Sequence, residues 1–201
     1  MRKMALRNTL VSAGLLGILG TQEVQAQDTG KPYTELSRGA LVKSIQEKGT
    51  VLTPSNFKKE ILDYDGAVIV LFDSTCHKTQ KGEVIDRNME IVYLQLMNKF
   101  DNVNVKESPL KFGYFDICKD LGKTINANFE LRIKDTPETH MYLDGREIDR
   151  LVGGPISLDW AQEWYKFLSS EWIPTNLTHP NGEYVWKFQG THDEKKIALR
   201  P

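Results

Sequence analysis

The residues of this chain best suited to nucleophilic chemistry are its two cysteines, Cys76 and Cys118. Cys76 is followed directly by His77 and Lys78, and then by Thr79. Positive charge beside a cysteine favours the thiolate and lowers the thiol pKa from about 8.5 into a range of about 3.5–7.5. The hydroxyl group of Thr79 can donate a hydrogen bond to the sulfur. This spacing predicts a reactive thiolate at Cys76, and the alternative is an inert, buried thiol.

The segments on either side of Cys76 predict the elements that position it. Residues 67–72 form a continuous apolar run, which is too short for a globular helix and suits a strand buried on both faces. Residues 79–100 carry apolar side chains at steps of three and four, which predicts an amphipathic helix. Cys76 is therefore expected at the start of a long helix, where free amide groups and the helix dipole stabilise a thiolate.

The remaining patterns predict an alternation of helices and strands. Helices are expected at 33–48, 54–62, 119–129 and 157–172, and strands at 50–53, 110–117, 139–143 and 147–152. The last two strands flank Asp144-Gly145, the strongest hairpin signal in the chain. Right-handed crossovers make the central strands parallel, and the hairpin adds antiparallel strands at one side.

This layout, together with two local motifs, resembles the thioredoxin fold. Gly66-Ala-Val-Ile-Val-Leu-Phe72 followed by Cys76-His77-Lys78-Thr79 resembles the strand and the Cys-x-x-Cys turn of that family. Thr136-Pro137 and the hairpin that follows it, up to Gly154, are similar to the family's cis-proline and closing hairpin. The resemblance covers about residues 50–172. It implies an α/β fold with a central mixed sheet of four to five strands flanked by helices, and thiol-disulfide chemistry.

The resemblance also implies roles for three residues outside the Cys76 turn. A cis bond at Thr136-Pro137 would form the edge that binds the backbone of an extended substrate beside the sulfur. Cys118 would end a strand next to the one that leads to Cys76. Adjacent strands lie about 4.8 Å apart, and a disulfide needs Cα atoms within about 7 Å. A Cys76–Cys118 disulfide, structural or resolving, is therefore one alternative. A single free thiol at Cys76 is the other.

Two positions depart from the family pattern. Thr79 stands where the family has its resolving cysteine, and Leu71 stands where it buries a carboxylate, so Leu71 supplies no buried base. These departures predict a monothiol Cys-x-x-Thr site that forms mixed disulfides through Cys76, with Cys118 as a candidate resolving residue. One alternative is a non-catalytic thioredoxin-like binding module. The other is a thiol peroxidase, because Ser74-x-Cys76-x-x-Thr79 is similar to the peroxidatic motif of glutathione peroxidases.

The first 26 residues have the pattern of a secretory signal peptide. Arg2, Lys3 and Arg7 precede an apolar run at 9–20, and Ala26 supplies a small residue before the expected cut. The run is shorter than the roughly 20 apolar residues needed to span a bilayer. The sequence therefore predicts an exported, periplasmic or extracellular protein without stable membrane insertion after cleavage.

Length and charge limit the remaining classes. A chain of 201 residues accommodates one domain of ordinary size. We divide it into signal peptide (1–26), leader and short helix (27–49), thioredoxin-like domain (50–172) and C-terminal extension (173–201). The 26 basic and 27 acidic side chains argue against a general nucleic-acid binder. The four histidines lack metal-ligand spacing, so neither a metal nor a cofactor is expected. The expected partners are thiol- or disulfide-bearing proteins or small thiols.

Overall fold

The computed structural model describes residues 31–76, 79–105, 108–118, 129, 131–133 and 136–178. The helices are α1 (Arg38–Lys48), α2 (Gln80–Lys99), α3 (Leu158–Phe167) and α4 (Ile173–Thr178), with a 3-10 turn at Tyr33–Glu35 and π-helical turns at Lys58–Leu62 and Leu168–Trp172. The strands are β1 (Thr50–Val51), β2 (Ala67–Asp73), β3 (Asn104–Val105), β4 (Ser108–Pro109), β5 (Lys111–Asp116), β6 (Glu138–Leu143) and β7 (Arg146–Val152). The predicted signal peptide and most of the predicted helix 119–129 lie outside the described residues.

Five strands form one mixed sheet in the order β1-β5-β2-β6-β7. β1, β5 and β2 are parallel, whereas β6 runs antiparallel to β2 and β7 antiparallel to β6. The short strands β3 and β4 pair with each other in a second sheet. This order and these directions are those of the thioredoxin fold, so the predicted fold class is confirmed.

The central strand β2 separates two apolar cores. Its alternate residues Ala67, Ile69 and Leu71 pack in the larger core with side chains of α1, α2 and α3. The side chains between them face the opposite core, built around Phe57 and Phe115. Every residue of β2 is buried, as the continuous apolar run predicts.

The hairpin between β6 and β7 turns at Asp144 and Gly145, as predicted. Their φ angles of 50° and 74° are the left-handed pair that a two-residue type I′ turn requires. A Cβ atom at Gly145 would collide with the carbonyl oxygen of Leu62. Glycine at this position therefore allows both the left-handed backbone conformation and the close approach of the turn that ends at Leu62.

The C-terminal helical region differs from the single helix predicted at 157–172. Ser157 is the N-cap of α3, as its sequence position suggests, and its side chain accepts from the amide of Trp160. The chain then passes through a π-helical turn into α4. Trp172 is fully buried and donates its indole N–H to Asp149 Oδ2 at 2.7 Å.

Asn176 of α4 is fixed by the same carboxylate. Its amide Nδ2 donates to Asp149 Oδ2 at 3.1 Å and to the carbonyl oxygen of Trp172 at 3.0 Å. These bonds hold α4 on β7, so the residues just after 172 continue the packed fold. None of the helices within the described ranges combines the length and apolar composition of a membrane span.

Candidate functional site

The two cysteines meet at one edge of the sheet. Their sulfur atoms form a disulfide with an S–S distance of 2.08 Å, and their Cα atoms lie 5.6 Å apart, within the usual range for such a bond. Asp73 at the end of β2 is in register with Asp116 at the end of β5. Because these strands are parallel, the residues that follow them leave the sheet on the same side. The pairing that the sequence left open is thus present, and a monothiol site remains a prediction.

The two halves of the disulfide differ in accessibility. Cys76 is exposed, whereas Cys118 is buried, with 6% of its surface accessible. Ser74 Oγ lies 3.3 Å from Cys76 Sγ, within hydrogen-bond distance for sulfur. An incoming thiolate therefore reaches the sulfur of Cys76 more easily than that of Cys118. Attack there makes Cys118 the leaving group.

Asp116 connects the two cysteine-bearing segments. Its Oδ1 atom accepts the backbone N–H of Thr75 at 3.2 Å and that of Cys118 at 3.0 Å. Its Oδ2 atom accepts the hydroxyl group of Thr75. A second link is the amide of Ile117, which donates to the carbonyl oxygen of Asp73 at 2.8 Å. Asp116 carries no distinctive sequence signal, since an aspartate at a strand end is common.

A buried ionic cluster contacts the segment that leads to Cys76. Arg38 of α1 contacts Glu90 at 2.7 Å and both Asp73 and Asp86 at 3.2 Å. Its guanidinium group also donates to the carbonyl oxygen of Ser74 at 2.8 Å. All three carboxylates are fully buried. Leu71 itself is apolar, and the buried acids of this cluster come from other positions.

Burial sets the protonation of this cluster. Desolvation and the negative charge of Asp73 raise the pKa of Glu90 to about 9, although Arg38 acts in the opposite direction. Glu90 is therefore protonated at neutral pH. Burial and the same negative charge raise the pKa of Tyr114, which donates its hydroxyl to Asp73 Oδ2 at 3.1 Å. A neutral Glu90 reduces the negative charge that Arg38 must balance.

The side chain of Thr79 caps helix α2, a role that the sequence pattern did not predict. It is the N-cap of α2, and its hydroxyl oxygen accepts the amide of Gly82 at 3.1 Å. The expectation that Cys76 lies at the start of this helix was wrong. Helix α2 begins at Gln80, so Cys76 precedes it by four residues. The predicted thiolate-stabilising residues His77 and Lys78 lie outside the described residues.

The peptide bond between Thr136 and Pro137 is cis, as predicted. β6 begins at the next residue, Glu138, which pairs with Phe72 near the end of β2. Pro137 is therefore at the same sheet edge as the cysteine pair. Its carbonyl oxygen accepts the amide of Gly153 at 2.8 Å. The substrate-binding role of Thr136 and Pro137 stays a prediction.

A second, partly buried cluster of polar side chains supports the strands behind this edge. His140 Nε2 lies 2.9 Å from Glu138 Oε2, and its Nδ1 lies 3.4 Å from Glu147 Oε2. Arg150 binds Glu147 through two hydrogen bonds of 2.6 and 2.8 Å and donates to the carbonyl oxygen of Leu131 at 3.0 Å. The cluster links β6 and β7 to the segment before the cis-proline. Within the described ranges, no three histidine, cysteine or acidic side chains form a group that could hold a metal ion.

The chain has only a low similarity to a solved structure. The chain is similar to the crystal structure of thioredoxin f2 from Chlamydomonas reinhardtii, at 16% sequence identity and a TM-score of 0.42. The match covers 66% of this chain and 97% of that chain. No family model and no curated protein matches the sequence. The assignment to the thioredoxin fold therefore rests on the strand order and directions given above.

Proposed function

We propose that this chain is an exported thiol-disulfide exchange protein in which Cys76 is the single cysteine that meets the substrate. The observation that carries the proposal is the disulfide between exposed Cys76 and buried Cys118 at the edge that also holds the cis-proline. The partners are proteins that bear thiols or disulfides, or small thiols. The signal-peptide pattern of residues 1–26 supports export, and disulfides persist outside the cytoplasm.

Exchange in the oxidising direction begins at Cys76. A substrate thiolate attacks the Cys76 sulfur, the protein disulfide breaks, and Cys118 leaves as a thiolate and takes up a proton. The second thiolate of the substrate then attacks the substrate sulfur of the mixed disulfide, and Cys76 leaves as a thiolate. Once the Cys76 thiolate has also taken up a proton, the substrate has lost two electrons and two protons, and the protein has two thiols. The reverse sequence reduces a substrate disulfide, with Cys118 attacking Cys76 to release the product.

The proposed mechanism gives the other site residues supporting roles. Thr136, the residue before the cis Pro137, pairs with the substrate backbone. His77 and Lys78 favour the Cys76 thiolate through their charge. Thr79 cannot resolve a mixed disulfide. The thiol that does so is that of Cys118, which follows the adjacent strand and lies 42 residues after Cys76.

The decisive experiment is trapping with two single-cysteine variants. Cys118→Ser leaves Cys76 without its resolving partner, so it should retain mixed disulfides with glutathione and with proteins of its native compartment. Cys76→Ser, the matched control, keeps one thiol in the buried position and should trap little. Gel shift and mass spectrometry without reductant measure both. Equal trapping by the two variants, or none by either, contradicts the proposal. Intact mass of the protein from its host tests export, with a chain beginning at Gln27 as the expected result.

A non-catalytic binding module is the second candidate, favoured by the burial of Cys118. In that case the disulfide is structural, and it should resist the glutathione pool because structural disulfides have reduction potentials below about −300 mV. Equilibration of the protein with glutathione buffers separates the two functions. Exchange within the buffer range supports the proposed function, and complete resistance favours the binding module.

A further inference from the structure

We infer that Asp116 is a positioning residue for the cysteine pair, whose carboxylate holds the Cys76 turn against the Cys118 turn and so determines how readily the two sulfurs join. The inference rests on the proposed exchange function. It adds a residue that regulates the resolving step.

The geometry points to Asp116 because one carboxylate takes three donors from two separate segments. The backbone amide and the hydroxyl group of Thr75 approach from the segment that follows β2, and the backbone amide of Cys118 approaches from the segment that follows β5. Thr75 directly precedes Cys76, and the third donor belongs to Cys118 itself. Each cysteine is therefore within one residue of a group that Asp116 fixes.

These bonds matter most after the disulfide has been reduced. While the disulfide is present, the cross-link itself keeps the two Cα atoms 5.6 Å apart. After reduction, hydrogen bonds between the segments must keep Cys118 near Cys76. An intramolecular thiol held in place has a high effective concentration, and this advantage falls when the two groups can separate. Charge-assisted hydrogen bonds to a carboxylate are roughly twice as strong as neutral ones, so Asp116 is well suited to this task.

The test is the equilibrium constant between the Cys76–Cys118 disulfide and glutathione, which reports the effective concentration of the two thiols. It is measured on the full mature chain by alkylation and mass spectrometry over a series of glutathione buffers. A loss of stability that is equal in the oxidised and reduced proteins leaves this constant unchanged. A purely structural role for Asp116 therefore does not move it.

Four variants define the expected pattern. Asp116→Asn removes the negative charge from all three hydrogen bonds and replaces Oδ2, which accepts the Thr75 hydroxyl, with an amide nitrogen, so we expect the constant to fall about tenfold or more. Thr75→Val removes only the hydroxyl donor and keeps both amides, so a fall of about threefold is expected. Thr75→Ser keeps the hydroxyl donor and should leave the equilibrium constant at its wild-type value. Asp101→Asn, at an exposed acid elsewhere, is the charge-matched control and should leave the constant within about twofold.

The outcomes separate the inference from the proposed function. If the wild-type protein equilibrates with glutathione while Asp116→Asn and Thr75→Val match it within twofold, the positioning role is wrong and the exchange function stands. If the wild-type disulfide does not exchange at all, both fail. If Asp116→Asn does not fold, Thr75→Val still decides, since it alters the same contact without introducing a donor.

Discussion

Arg38 donates a hydrogen bond of 2.8 Å to the main-chain carbonyl oxygen of Ser74, two residues before Cys76. Helix α1, which the sequence places in a leader segment before the thioredoxin-like domain, thus contacts the turn that carries the exposed cysteine. The same guanidinium group neutralises carboxylates from β2 and α2. The short N-terminal helix is therefore part of the site's support.

We expect Arg38→Ala to destabilise the fold by about 3–5 kcal/mol, because it leaves buried carboxylates without a counter-charge. Arg38→Lys keeps the charge but loses the two-pronged geometry, so its cost should be intermediate. Urea unfolding at pH 7 measures both. Lys43→Ala on the exposed face of the same helix is the control and should cost less than about 0.5 kcal/mol. Equal effects of Arg38→Ala and Lys43→Ala would contradict the prediction.

The raised pKa of Glu90 predicts that the stability of the fold declines as pH rises. Its folded pKa of about 9 lies above the ordinary value of 4.5, so between these pH values the folded protein holds a proton that the unfolded chain has released. The free energy of unfolding therefore falls with rising pH, by up to about 1.4 kcal/mol per unit from this group. Glu90→Gln mimics the protonated carboxyl and should flatten this slope. Unfolding curves at pH 5, 7 and 8.5 measure it. A variant whose slope equals that of wild type rules out a protonated Glu90.

The lowered pKa of Glu147 predicts the opposite dependence of stability on pH. Burial alone would raise its pKa, but hydrogen bonds and charge from His140 and Arg150 more than offset this and lower the pKa below 4.5. Its contribution to stability is present above the unfolded value and is lost as pH falls through the folded one. We expect Glu147→Gln to cost about 1–2 kcal/mol at pH 7 and clearly less near pH 3. Thermal unfolding at both pH values measures it, with exposed Glu163→Gln as control.

Thr79→Cys should raise the rate at which the protein reduces insulin, because a thiol three residues after Cys76 restores a local resolving group. The same change removes the hydroxyl cap of α2, at a cost of about 1 kcal/mol in stability. Thr79→Ser keeps the cap and adds no thiol, so it should leave the rate unchanged. An unaltered rate in Thr79→Cys indicates that Cys118 already resolves as fast as a local cysteine.

The sequence predicts an element of the fold well where its local signals agree with its tertiary surroundings. The apolar run before Cys76 predicts the central strand, because a strand with cores on both faces needs apolar side chains at every position. Asp144-Gly145 predicts its hairpin because few other pairs adopt the required backbone. The cis bond at Thr136-Pro137 followed from the family resemblance.

The ionic site was missed because its members are far apart in sequence. Arg38 and Glu90 are 52 residues apart, and only the tertiary fold brings them into contact. Asp86 and Glu90 did carry a signal, since two acids four residues apart lie on the face of α2 that the core covers. The pairing of Cys76 with Cys118 depended on a turn geometry that strand spacing alone does not fix.

The hydrogen bonds of Asn176 bear on how the protein can be produced. Asn176-Leu177-Thr178 is an acceptor sequence for N-linked glycosylation, yet Asn176 is only 2% exposed and its amide nitrogen already donates to Asp149 and Trp172. A sugar on that nitrogen replaces one of these donors and places a bulky group where α4 meets β7. Secretion through a glycosylating eukaryotic host should therefore give a modified chain that cannot pack α4, whereas a bacterial host should give the native protein.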